Sequence, residues 1–235
     1  MERHLPFYFF RILLCGAISI ALLTGCVSAK TGGSKIPHKK AISSLNKIAV
    51  FPFQALTSVD PGISVARCPV CGTSFRACNF TGTPEKTIED FLIKRIESSK
   101  QYTLIPSDYV DGVYKRVSAD WSGATPLEAL TEVGKEIGAD GILAGYLFYY
   151  KERDGFDYSV ESPASVAFCV HLIRVSDGVS LWKGIFVKTQ SSLMENLFDI
   201  LPFVKGGGKW LTAKELSREG VNEILNNFPG LKGDS

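Results

Sequence analysis

From residue 46 onward, continuous apolar runs alternate with amphipathic segments. Such runs are typical of strands that are covered on both faces. We predict strands at residues 47–53, 102–105, 142–150, 165–175 and 179–189. The last two should pair antiparallel, because the dipeptide Asp177-Gly178 between them favours a tight hairpin turn.

Helices are predicted where apolar residues recur every three or four positions behind a start signal. Proline follows a capping residue at Thr83-Pro84, and capping boxes begin at Thr125 and Thr212. A shorter helix is predicted at residues 109–117. Strands and helices in this order indicate an α/β fold, a mixed sheet with an antiparallel hairpin and helices packed on the sheet, in a single domain at residues 46–235. Residues 54–82 have no clean period and are predicted to be a long loop or insertion.

The first 25 residues have the pattern of a secretory signal peptide. A short basic start precedes about a dozen apolar or small residues, a run too short to span a bilayer. The run ends in Leu-Thr-Gly-Cys, which resembles the lipobox of bacterial lipoproteins. The resemblance implies cleavage between Gly25 and Cys26 and acylation of Cys26 with diacylglycerol and a further fatty acid such as palmitate. The mature chain would then bind membrane lipid through Cys26.

Residues 26–45 are rich in Gly, Ser and Lys and poor in large apolar side chains. We expect a lipidated flexible linker here, with a reach on the order of 25 Å. Val27, rather than Asp, follows the acylated cysteine. By the sorting rule known for enteric lipoproteins, this predicts an outer-membrane protein that faces the periplasm.

Charge and motifs exclude several functional classes. The chain has 26 basic and 24 acidic residues without a basic stripe, which argues against nucleic-acid binding. Complete hydrolase, zinc-protease or phosphate-loop motifs are absent from the sequence. His171 lies in a predicted strand without an evident partner, and its pattern favours a structural role over a catalytic one. We therefore predict that the protein is not an enzyme and needs no cofactor.

Three cysteines at C-x2-C-x6-C spacing, Cys68, Cys71 and Cys78, form the segment with the clearest potential for chemistry. In an oxidising periplasm a local disulfide is favoured, either Cys78 with Cys68 or Cys78 with Cys71. A metal site is the alternative, but structural zinc takes four ligands and this segment supplies three. Reduced, inert thiols are the third reading. Cys169, in a predicted strand, has the alternation of a core residue.

Three segments together resemble a known family. They are "KIAVFPF" at residues 47–53, "GADGILAGYL" at residues 138–147 and "VSDGVSLW" at residues 175–182. They resemble the α/β fold shared by the curli-secretion lipoprotein CsgG, the penicillin-binding-protein activator LpoB and the N-terminal domain of TolB. The resemblance covers roughly residues 46–190.

The resemblance implies a non-catalytic accessory or assembly factor of the cell envelope. Such a protein works by binding a periplasmic or envelope protein, or by assembling as a homo-oligomer. A metal-binding or thiol-redox envelope module that uses the cysteine segment is the alternative function.

Overall fold

The computed structural model describes residue 42 and residues 44–56, 65–78, 80–120, 123, 125–190 and 209–231. These residues form ten strands: β1 Lys47–Val50, β2 Gln54–Ala55, β3 Val65–Arg67, β4 Ser74–Arg76, β5 Thr103–Ile105, β6 Gly141–Lys151, β7 Asp154–Phe156, β8 Ser159–Ser162, β9 Ser165–Arg174 and β10 Ser180–Thr189. They also form four helices: α1 Pro84–Glu97, α2 Ser107–Asp120, α3 Pro126–Glu136 and α4 Ala213–Leu225.

The main sheet is mixed, as predicted. Its strand order is β10-β9-β6-β1-β5, and β2 pairs with β6 as a sixth strand. Strand β1 is parallel to β5 and β6, whereas β9 is antiparallel to β6 and β10. The hairpin between β9 and β10 turns at Gly178, whose φ of 70° lies in the left-handed region that glycine adopts without strain.

Both predicted capping boxes are present. Thr125 accepts a hydrogen bond from the N–H of Glu128, and Thr212 accepts one from the N–H of Glu215. In each box the glutamate side chain accepts the N–H of the threonine in return. These reciprocal bonds satisfy backbone donors that a helix start otherwise leaves unpaired. Thr83, by contrast, makes no side-chain cap on α1.

Apolar cores lie on both faces of the sheet. On one face, Phe168 and Leu172 of β9 pack with residues of α1 and α4. On the other face, Cys169 and Ile173 pack with residues of α2, α3 and the β3–β4 pair. Both faces of β9 are therefore covered, and its positions from Val166 to Ile173 are all buried.

Two parts of the sequence interpretation change. Residues 54–82, predicted as a loop, contain β2 and the antiparallel pair β3–β4, whose strands of two or three residues are too short to show a period. Ile42 and Leu45, at the end of the predicted linker, are buried in the core of the domain. The folded domain therefore extends upstream of residue 46.

Gly25, Cys26 and Val27, on which the predicted cleavage, lipidation and sorting depend, lie outside the described residues. Among the helices of the described residues, none is long and apolar enough to cross a membrane.

Candidate functional site

Strands β3 and β4, with the turn between them, form a small ribbon that carries Cys68 and Cys71. The N–H of Cys68 donates to the carbonyl of Thr73, and the N–H of Gly72 donates to the carbonyl of Cys68, both at 2.9 Å. Gly72 has a φ of 69°, which a side chain would strain. Arg67 Nε donates to the Gly72 carbonyl at 2.8 Å. The turn therefore holds its two cysteines in a defined backbone geometry.

Strand β9 brings two more potential ligands to the ribbon. Cys169 and His171 are two positions apart, so their side chains leave the same face of the strand. His171 Nε2 lies 3.3 Å from the sulfur of Cys68 and 3.3 Å from that of Cys169, and these two sulfurs are 3.5 Å apart. The ligand atoms of Cys68, Cys71 and His171 all lie within 4.8 Å of one another. We call Cys68, Cys71, Cys169 and His171 the Cys/His cluster.

The cluster stabilises a thiolate on Cys68. The thiol of Cys169 donates to Cys68, and this bond, with further hydrogen bonds from His171 and from the backbone at Cys71 and Val70, lowers the pKa of Cys68 to about 3 against the opposing effect of burial. The same bond to Cys68, followed by burial, raises the pKa of Cys169.

Burial restricts the chemistry of the cluster. Cys68 is 1% exposed, and Cys169 and His171 are 0% exposed, whereas Cys71 is half-buried. His171 Nδ1 is buried and has no hydrogen-bond partner among the described residues. A nucleophile or redox pair must be reached by its substrate. A cluster of buried soft donors is better suited to holding a metal ion.

Cys78 lies apart from the cluster. Its sulfur is 3.9 Å from the carbonyl of Tyr150, and its N–H donates to the carbonyl of Phe148 at 3.1 Å. The four described cysteines are all free, so the predicted disulfide of Cys78 with Cys68 or Cys71 is not confirmed. Of the three cysteines predicted to act together, the structure brings together Cys68 and Cys71 only.

The sequence interpretation missed Cys169 and His171 as partners of the cysteine segment. The available signal was the C-x-H pattern within a strand, which places two potential metal ligands on one face. The assignment of Cys169 to the core, which was based on the alternation of the strand, is confirmed because Cys169 is fully buried. Burial and ligation are compatible here because the cluster lies inside the core.

A groove opens beside the ribbon, on the same face of the sheet. It has a volume of about 610 Å³ and is lined by residues from β4, β6, β9, β10 and the segments next to them. The apolar side chains Ile185 and Val187 of β10 line it and are 38% and 66% exposed. Its charged lining residues are both basic, Arg76 and Lys151.

The groove combines an apolar surface with a strand edge. Within the described residues, β10 pairs only with β9, so its outer backbone edge has no neighbouring strand. Arg76 lies over the ring of Tyr149, 5.5 Å from its centre, which fixes one positive charge in the groove wall. Of the aromatic residues near the end of β6, Tyr146 and Phe148 belong to the core and Tyr149 to this groove.

No protein-family model and no curated protein sequence matches the chain. Among solved structures, it is similar to the PelC dodecamer from Paraburkholderia phytofirmans, with 12% identity and a TM-score of 0.44, over 80% of this chain and 90% of that chain. Lipoprotein GNA1162 from Neisseria meningitidis is 16% identical, with a TM-score of 0.40, over 69% and 94% of the two chains. The LpoB C-terminal domain from Escherichia coli is 11% identical, with a TM-score of 0.37, over 65% and 96%.

These similarities include LpoB, which belongs to the group that the sequence resembles. The resemblance to CsgG and TolB stays a prediction.

Proposed function

We propose that this chain is a lipid-anchored accessory protein of the cell envelope that binds an acidic, extended segment of a partner protein in the groove along β10. The observation that carries this proposal combines three features: a β10 edge that pairs with no other strand within the described residues, exposed Ile185 and Val187, and a lining whose charged residues are both basic.

An extended peptide fits this surface for a physical reason. A free strand edge offers backbone N–H and C=O groups to a further strand, and alternate side chains of that strand then point towards the groove. Ile185 and Val187 would pack on its apolar side chains, while Arg76 and Lys151 would attract its carboxylates. A basic segment would be repelled by the same two charges.

The proposed role is non-catalytic. Within the Cys/His cluster, His171 has the chemistry of a general base and Cys68 that of a nucleophile, but both are buried, and His171 Nε2 faces two sulfur atoms. A general base must reach a proton of its substrate. The cluster therefore supports a structural role.

The lipobox-like segment supports the anchoring part of the proposal. Acylation of Cys26 would hold the domain on the membrane, since each buried methylene group contributes about 0.8 kcal/mol and two or three chains act together. With Val27 after the cysteine, we place the protein at the outer membrane, facing the periplasm. The mass of the chain extracted from membranes tests cleavage and acylation, because acylation adds mass to a chain that starts at Cys26.

Partner binding can be tested with a photo-crosslinking amino acid at Val187 in intact cells. We expect one main adduct, whose crosslinked peptide on the partner is rich in Asp or Glu. Reversing both basic charges, with Arg76→Glu and Lys151→Glu, should remove most of this adduct. The exposed substitution Tyr109→Asp on α2, outside the groove lining, is the matched control and should leave the adduct unchanged.

Two outcomes would contradict the proposal. An adduct that survives charge reversal, or one formed with a basic segment, would show that charge complementarity does not select the partner. An adduct between two copies of this chain would replace the foreign partner with self-assembly.

A further inference from the structure

We propose that one zinc ion joins the β3–β4 ribbon to strand β9, held by four side chains: Cys68, Cys71, Cys169 and His171. This proposal does not depend on partner binding in the groove, because its evidence lies in the cluster itself.

The distances in the cluster suit a tetrahedral ion. Bonds of about 2.3 Å to sulfur and about 2.0–2.1 Å to nitrogen place two sulfurs about 3.8 Å apart, and a sulfur and a nitrogen about 3.5 Å apart. The observed separation of the sulfurs of Cys68 and Cys169 is 3.5 Å, and His171 Nε2 lies 3.3 Å from each of them. Cys71 joins Cys68 and His171 within 4.8 Å. Cys169 is not part of that three-residue group, so the Cys71 side chain must move towards Cys169 for all four donors to surround one ion.

The donor types favour zinc. Three thiolates and one imidazole form a common ligand set of closed structural zinc sites. Soft sulfur donors do not suit calcium or magnesium, which take oxygen ligands. The C-x2-C turn between β3 and β4 is the usual spacing for one half of such a site, and the C-x-H of β9 supplies the other half.

The surroundings support the charge of the bound site. Three thiolates and a divalent ion leave one net negative charge. Lys183 lies opposite His171 in the β9–β10 register, and its positive charge acts on Cys169.

A disulfide accounts for fewer of these contacts. A bond between Cys68 and Cys169 would need their sulfurs to approach from 3.5 Å to about 2.05 Å. It would give no role to the buried imidazole of His171, whereas Cys71 would keep its hydrogen bond to Thr73 Oγ1. Zinc uses all four side chains and explains why a histidine is placed in the core.

The ion would have a structural role. Burial of Cys68, Cys169 and His171 leaves no open coordination position of the kind that a catalytic zinc keeps for water. Strands β3 and β4 have three residues each, and a two-stranded ribbon of this size is at best marginally stable alone. Zinc would fix the ribbon, which forms one wall of the groove.

The test uses the full-length protein, purified in detergent from bacterial membranes without reductant, and measures bound metal by elemental analysis and native mass spectrometry. We expect about one zinc per chain. Cys71→Ser and Cys169→Ser should each weaken zinc binding by more than the roughly 10- to 100-fold that loss of an outer-shell partner causes. Cys78→Ser is the matched control and should keep one zinc, because Cys78 lies outside the cluster.

A measurement on the unmodified protein keeps the test valid if buried substitutions disturb folding. Alkylation of Cys71, resolved by peptide mapping, should be slow with metal bound and should accelerate after a chelator is added, while alkylation of Cys78 stays unchanged. Three results would overturn the proposal: a metal-free chain with a Cys68–Cys169 disulfide, equal loss of zinc in Cys78→Ser, or full zinc affinity in Cys169→Ser.

Discussion

Replacing Phe75 by Ala tests how the ribbon is attached to the sheet. Phe75 is the central residue of β4, is 6% exposed and stacks on Phe148 of β6 with ring centres 4.1 Å apart and an angle of 18° between the rings. The ring is therefore a large apolar contact of the ribbon with the sheet. Its removal leaves other attachments, among them the backbone bond of Cys78, the Arg76 guanidinium over Tyr149 and the Cys/His cluster.

The expected loss can be estimated from this contact. Truncation of a buried phenylalanine costs about 3–5 kcal/mol, of which about 0.5–1.5 kcal/mol belongs to the ring pair. We expect about 3 kcal/mol, at the lower end, because the ribbon borders the open groove and can relax into the space left by the ring. In a domain of this size that loss lowers the Tm by about 6–12 °C.

Urea and thermal unfolding, followed by circular dichroism, measure this loss. Tyr109→Ala on α2 is the control: Tyr109 is 60% exposed, and its loss should change the free energy of unfolding by less than about 0.5 kcal/mol. A loss below 1 kcal/mol for Phe75→Ala would refute the reasoning, because it would mean that the ring does not anchor the ribbon.

Three further predictions concern the scaffold. Gly145→Ala should destabilise the domain by about 1–3 kcal/mol in urea unfolding, because the Cβ of the new alanine would overlap the ring of Phe53. Adding Phe53→Leu to the same chain should restore part of the lost stability. Thr212→Ala should cost about 1 kcal/mol by the same assay, because it removes the N-cap of α4. The third prediction concerns Glu215, whose pKa is lowered to about 2 by hydrogen bonds, first from the backbone of Thr212 and then from Lys209. The ionised form of Glu215 therefore stabilises the fold above about pH 4.5, and this contribution is lost as the pH falls towards 2. The stability difference between the wild type and Glu215→Gln should therefore be constant near neutral pH and shrink through that acid range; a difference independent of pH would contradict it.

Local signals in the sequence were sufficient to predict most of the main sheet and the helices. The capping boxes at Thr125 and Thr212 and the turn at Gly178 depend on neighbouring residues, which a sequence displays directly. The long apolar run at residues 142–150 indicated a buried strand, and β6 pairs on both sides. The ribbon was missed because strands of three residues are too short to establish a period.

The Cys/His cluster could be predicted only in part. Cys68 and Cys71 are three residues apart, so the sequence shows that they lie together. Cys169 and His171 follow about one hundred residues later, and their approach depends on the ribbon packing over β9, a tertiary contact that no local pattern encodes. Cys78 was grouped with the first two by proximity along the chain, although the chain turns at β4 and carries its side chain towards Tyr150.

The central claim, that one ion joins the ribbon to strand β9, is tested most directly by zinc X-ray absorption spectroscopy on the full-length protein. The account predicts three sulfur ligands at about 2.3 Å and one imidazole nitrogen at about 2.0–2.1 Å. A first shell dominated by oxygen, or one with fewer than three sulfurs, would contradict it, because the two cysteines of the ribbon and Cys169 of β9 would then not share one ion.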